Sequence, residues 1–305
     1  MPKPSANAPL EFFADDVEYM KLCLDFTVYW VGSVFDRVDG VLAFYRRAMA
    51  SIGSNVTFYE TETMRGARKV KQDTLELLPF WLTDAPKRRE LYMLYLESGA
   101  QANLPSDQAF VFVALEDEQP AGLMRLILPS DFGAASTDSI IELTRELVDA
   151  LDFHSGHVGF GLNWNDRGDL AYDAQQQMQR IGMRFPGIDI PDLETTLYAI
   201  PQGIKRVNWL TLLGAGLVDE LGGYAHLQAQ LGEAIALYRV PNGVIIRAGV
   251  APSVGDVNRK DRLPAYHEVG RVLQPVRAGD RPAFIMKDED FDEEVTEAWL
   301  GHFDH

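Results

Sequence analysis

The chain of 305 residues contains one cysteine, which leaves no partner for an internal disulfide. That thiol, Cys23, lies in the apolar run Leu22-Cys23-Leu24-Asp25-Phe26, which predicts a buried structural role and fits a reducing compartment. Long apolar runs are also missing: none approaches the roughly 18 residues that a membrane-spanning helix requires. The opening Met1-Pro-Lys-Pro-Ser-Ala-Asn-Ala-Pro has no charged region followed by an apolar stretch, so it does not read as a secretory signal. A cytoplasmic protein without a membrane partner is the expectation. Positive charge is scarce: 28 Lys and Arg stand against 45 Asp and Glu, for a net charge of -17 and a pI near 4.7. Such a chain repels nucleic acid, because holding phosphates requires cations that replace counterions. It attracts a basic partner instead, and opposite fields speed encounter more than they add affinity.

The signatures of catalysis are lacking too. There is no Gly-x-Ser-x-Gly elbow and no phosphate-cradling glycine loop ending in Lys-Ser/Thr. The segment Trp209-Leu-Thr-Leu-Leu-Gly214-Ala-Gly216-Leu-Val-Asp219 resembles a dinucleotide turn, but Asp219 stands where a third small residue is needed, so a plain strand-to-helix turn is the better reading. His154 and His157, with Asp152, fall at a loop-to-strand junction without the further ligands of a tetrahedral metal site. His302 and His305 lie at the end of the chain and receive no role. No catalytic residue, cofactor or metal ligand is therefore predicted, and an enzyme of unrecognised type is kept only as an alternative.

What is present is an ordinary globular mixture, 47% hydrophobic and 24% charged. Aromatic and β-branched residues predict strands over 19–31, 56–61, 92–97, 109–115, 121–128 and 157–163. Helical spacing predicts helices over 35–52, with Gly53 as a left-handed cap, over 72–81, with Pro79 in the last turn, and over 137–151, capped by Thr137 or Asp138. A further helix is expected over 172–183, then an irregular connection punctuated by Pro186, Pro191 and Pro201. After the apolar run 207–213 and a short helix over 214–221, Asn242-Gly243 signals a hairpin between 235–239 and 244–248, and 265–273 reads as helix. Strands and helices interleave without a βαβ rhythm. The expected class is therefore α+β, with mixed or antiparallel sheets and flanking helices, as one compact unit over 1–305 with two lobes, 10–200 and 201–305.

Two acidic clusters are candidates for partner binding. Glu116, Asp117 and Glu118 occupy a predicted hairpin loop, and Asp288, Glu289, Asp290, Asp292, Glu293 and Glu294 precede the C-terminus. Phe291, Val295 and Trp299 recur at i, i+4 and i+8, which favours an aromatic face packed on the body with the carboxylates outward.

The order and spacing of Val207-Asn-Trp209-Leu-Thr-Leu-Leu-Gly214, Leu217-Val218, Leu221-Gly222-Gly223, Gly243-Val-Ile-Ile-Arg-Ala-Gly249, Pro252, Gly255-Asp256, Asn258, Pro264-Ala-Tyr266 and Val269 resembles the TsiV-type family of type VI secretion immunity proteins. Those residues read as architecture: Gly222, Gly223, Gly249 and Gly255 suit tight turns, Trp209, Leu213 and Leu217 a core, and Asp256 with Asn258 a self-bonded loop. The resemblance implies a non-enzymatic inhibitor of a cognate type VI effector, a VRR-Nuc nuclease with a basic DNA cleft that the inhibitor occludes. An immunity protein for another toxin class is the alternative.

Overall fold

A computed structural model describes residues 10–14, 17–85, 88–102, 104–164, 171–279 and 292–305. It has an α+β architecture built on one antiparallel sheet flanked by helices. The organising element is β2 (Val17–Val31), whose run of Tyr, Phe, Val and Trp favours extended backbone. Along one edge β2 pairs with β8 (Ser155–Trp164), and along the other with β1 (Glu11–Ala14) and then β7 (Ala121–Pro129). Outward from β7 follow β6 (Ala109–Leu115), β5 (Leu91–Ser98), β3 (Val56–Thr61) and β4 (Arg68–Lys69). Outward from β8 follow β9 (Leu210–Gly214), β11 (Gly243–Ala248) and β10 (Ile235–Val240). The lobe boundary expected at residue 200 thus falls between strands of one continuous sheet, because β9 is hydrogen-bonded to β8.

Side chains alternate across the strands. Leu24, Phe26, Val28 and Trp30 of β2 enter a large core with α1 (Val38–Ile52) and α3 (Asp138–Val148). Ile140, Ile141, Leu143, Leu147 and Val148 bury the apolar face of α3 there, each worth about 1.5–3 kcal/mol relative to exposure. The helices α6 (Ala215–Glu220), α7 (Tyr224–Gln230) and α8 (Pro264–Leu273) close the same core at the β9–β11 end. The start of β2 and the end of β8 meet a second core under α4 (Ala171–Arg184) and α9 (Glu293–Leu300).

Several local expectations change. Gly53 is right-handed, at φ -56°, and α1 runs on into a 3-10 turn over Gly53–Asn55 instead of stopping at a left-handed cap. Helix α2 is Leu77–Thr83, which puts Pro79 in the first turn, where its missing N–H costs nothing. Thr137 does not cap α3 with its side chain; its hydroxyl donates to Val250 O at 3.2 Å, and the helix ends at Val148. Two seven-residue helices, α5 (Leu193–Ala199) and α7, are too short to show a period. The hairpin β10–β11 forms, but its two-residue loop is Pro241-Asn242, and neither Asn242 nor Gly243 has a positive φ. Gly243 serves a close approach: a Cβ there would stand 2.0 Å from Leu213 O in β9. Gly222, Gly223, Gly249 and Gly255 do take positive φ, as tight turns require.

Replacing Gly243 with Ala therefore pushes β11 off β9 and destabilises the fold by about 1–3 kcal/mol. Urea denaturation checks this, and an unchanged midpoint refutes the close-contact role.

Candidate functional site

Beneath the other face of the sheet lies a layer of buried charge. Asp25 points there from β2, and Arg125, across the β2–β7 ladder, meets it with Nε at 2.7 Å and Nη2 at 2.6 Å. Thr27 donates to Asp25 Oδ1 at 2.6 Å, and Arg125 also donates to Leu162 O at 2.8 Å. The chain from Pro186 to Ile190 runs along β8 beyond the end of β9, with Asp189 N bonded to Phe160 O and Leu162 N to Asp189 O. This puts the Asp189 carboxylate on the same face, where Lys205 Nζ donates to Oδ2 at 2.7 Å and to Ile190 O at 2.7 Å. Burial alone would raise the Asp189 pKa, but Lys205 and His157 outweigh it and hold the carboxyl far below its usual range. Burial likewise acts to lower the Arg125 pKa, and Asp25 reverses this, keeping the guanidinium charged.

His157 Nε2 stands 3.5 Å from Asp189 Oδ2, long for a hydrogen bond, and Asp189 Oδ1 has no hydrogen-bond partner among the described residues. Asp25, His157 and Asp189 present three ligating atoms within 4.8 Å of one another, the spacing of a metal site. The charge count opposes that use. Two carboxylates already meet Arg125 and Lys205, so a divalent ion would bring two uncompensated charges into a dry layer. The constellation is an ion-pair network. Its histidine is one of the two singled out from sequence, but its companions are Asp25 and Asp189 rather than His154 and Asp152. The only sequence signal for them is a lone acid inside an apolar run, Leu24-Asp25-Phe26 and Ile188-Asp189-Ile190.

Cys23 is buried, its Sγ donates to Gly161 O at 3.3 Å, and burial pushes its pKa upward, away from the reactive thiolate. Gly214 joins β9 to α6 as a strand-to-helix turn. A mixed-charge cleft of about 650 Å³ opens between α6–α7 and α8, lined among others by Glu220, His226, Glu268 and Arg271. Within it Glu268 is already held by Gly232 N at 2.5 Å.

The acidic clusters divide in role. Glu116 accepts from Ser33 Oγ at 2.5 Å and Val34 N at 2.7 Å, which anchors the chain leaving β2, whereas Asp117 and Glu118 are exposed. Asp292 caps α9 by accepting from Val295 N at 2.9 Å. Glu293 and Glu294 project outward from its first turn, where the helix dipole favours them. Asp288, Glu289, Asp290 and Phe291 lie outside the described residues. Trp299, Leu300 and Phe303 are each 1% exposed, so this aromatic face packs inward. It covers Arg206, whose guanidinium lies 4.1 Å from the Trp299 ring centre and 5.2 Å from that of Phe303, with Nη2 on Pro186 O at 2.6 Å. Burial pulls Arg206 down to about 10, still charged at neutral pH. Unlike a loose chain end, His302 meets Phe303 edge-on, and the His305 carbonyl meets His267 Nδ1 at 2.9 Å.

The sequence profile described as "TsiV: Type VI immunity for VRR-NUC" matches residues 40–303. The chain belongs to the TsiV family. Among solved structures it is similar to the Pseudomonas aeruginosa T6SS protein PA0821, with a TM-score of 0.81, 18% identity, and coverage of 95% of this chain and 83% of that one. At that identity the likeness shows the fold. No curated protein matches the chain. The charged layer of Asp25, Arg125, Asp189 and Lys205 is buried, whereas Asp117, Glu118, Glu293 and Glu294 reach solvent.

Two outcomes follow for stability. Asp189→Asn leaves the Lys205 ammonium buried without its carboxylate and costs about 3–5 kcal/mol, while the double variant Asp189→Leu/Lys205→Met recovers most of it in chemical denaturation. Equal stability of Asp189→Asn and wild type contradicts the pairing. Burial, with Arg206 beside it, pushes His302 down to about 4. The unfolded imidazole titrates near 6.5, so only the unfolded chain takes up a proton as pH falls from about 6.5 to about 4, and stability declines over that window. Melting curves of His302→Gln should show a shallower decline than wild type.

Proposed function

We propose that this TsiV-family chain neutralises a VRR-Nuc effector by binding it and keeping DNA out of its cleft, with no catalysis of its own. The family match over residues 40–303 carries this reading, and the charge supports it: a DNA-binding groove is basic, and a chain at -17 is drawn to it. The proposed site of action is the cytoplasm, where a nuclease meets its DNA. Among the described residues no helix is long and apolar enough to cross a membrane.

We treat the acids beside Glu116 and the exposed acids of α9 as separate contact candidates. Glu116 is held just beyond the end of β2, whereas α9 packs in the core that includes Tyr19 and Met20 near its start. At about 3.3 Å per residue the intervening strand puts them on the order of 40 Å apart. A standard interface of about 800 Å² per partner does not span both. We assign the contact to Asp292, Glu293 and Glu294 with the preceding Asp288, Glu289 and Asp290, and leave Asp117 and Glu118 outside it.

Titrating this chain into its cognate VRR-Nuc effector should abolish DNA cleavage at about one equivalent. Association should slow as salt is raised, because steering between exposed charges is screened. Glu293→Lys/Glu294→Lys should lower the association rate and flatten its salt dependence, and Asp117→Lys/Glu118→Lys should leave both unchanged. Undiminished cleavage in the presence of a saturated complex rules out occlusion.

A further inference from the structure

The sheet ends in two edges of unlike design. At one, β4 is two residues long and carries Arg68 and Lys69, both exposed, with exposed Arg65 and Lys71 close by in sequence. A short, cationic edge strand resists pairing with another chain. At the other, β10 runs for six residues, Ile235–Val240, and its strand partner is β11 alone, in a register without a bulge. Its one charged group, Arg239, lies 3.9 Å over the Tyr224 ring, and Ala236, Leu237, Tyr238 and Val240 are half-buried.

The backbone shows what this edge offers. Ala248 N donates to Trp209 O at 2.8 Å, so alternate residues of β11 bond towards β9, and Gly243, Ile245 and Arg247 between them bond towards β10. Their partners in β10 are Val240, Tyr238 and Ala236, which leaves the N–H and C=O of Leu237 and Arg239 pointing out of the sheet. Among the described residues no hydrogen bond reaches those groups. Donors run out at both ends of the strand: Ile235 N already donates to Gly232 O at 3.0 Å, and Pro241 has no N–H.

We infer that β10 pairs antiparallel with β10 of a second copy of this chain, joining the two sheets across a two-fold axis at Tyr238. In that register Leu237 and Arg239 of one strand exchange backbone hydrogen bonds with Arg239 and Leu237 of the other, so all their outward groups are used. Ile235, whose N–H is already engaged, falls opposite Pro241, which has none, and no donor is stranded. Tyr238 meets Tyr238 as a cross-strand aromatic pair, Ala236 lies opposite Val240, and Arg239 faces Leu237 instead of its own copy. A shift of two residues either way sets Arg239 against Arg239 or Tyr238 against Ala236, which loses the aromatic pair or opposes like charges. The strand complements itself in backbone and side chains, and this selects a copy over an unrelated extended segment. The contact does not depend on the nuclease reading.

Sedimentation equilibrium of the full chain alone should show a reversible monomer–dimer equilibrium, the mass rising from 34.1 kDa towards twice that value between about 1 and about 100 μM. Arg239→Pro removes an outward N–H that no internal bond uses, so it should weaken dimerisation at least about tenfold while the melting curve stays cooperative. Cross-linking tests the register without relying on that variant. Tyr238→Cys places two thiols on the axis with Cα atoms about 4.5 Å apart, within disulfide range, and mild oxidation should give a covalent dimer. Ala236→Cys sets its thiols about 13 Å apart along the strands and should not. The native Cys23 is buried and does not compete. A mass of 34.1 kDa throughout that range, equal cross-linking by the two cysteine variants, or a dimer unaffected by Arg239→Pro each overturns the inference. So does a monomer whose effector complex Arg239→Pro weakens, which gives the edge to the effector instead.

Discussion

Two carboxylates, Asp25 and Asp189, are placed under the centre of the sheet, and no water-rich surface is near enough to solvate them. Each must meet a cation in place, and each does: Arg125 across the β2–β7 ladder and Lys205 from the connection into β9. Removing one partner of such a pair is costly because the other stays charged and buried. The layer therefore fixes where the 186–209 connection lies. That connection in turn carries α5 over the sheet and puts Arg206 against Trp299 and Phe303. Through that chain of contacts the C-terminal helix is tied to the middle strand.

This separates two uses of charge. Inside, cations and carboxylates cancel and set geometry. Outside, the surplus is negative and reaches solvent at Glu293, Glu294, Asp117 and Glu118. Cys23 is buried beside Gly161, Asp25 and Asp189 are paired, and Glu268 is held by a backbone amide.

The strands were legible because aromatic and β-branched residues cluster in runs bounded by turn residues. β2, β3, β5, β6, β7, β8 and the β10–β11 hairpin lie within a few residues of their expected places. The long helices α1 and α3 were legible because their apolar spacing repeats over several turns. Helices α5 and α7, at seven residues, were not, since two turns hold too few repeats to define a period. The glycine-rich texture of the last third identified the family because turns and close approaches constrain residue type locally.

The sequence by itself determined the longer elements, the excess of negative charge and the family, since each follows from residue type and near-neighbour spacing. Tertiary structure alone decided which acids are spent and which are displayed. Asp25 and Asp189 are 164 residues apart in sequence and adjacent in space, Glu116 anchors a strand end while Asp117 beside it faces solvent, and Trp299 covers an arginine instead of meeting a partner. The energy of a charge depends on its solvation and on cations brought from elsewhere in the chain, and only the folded arrangement specifies either.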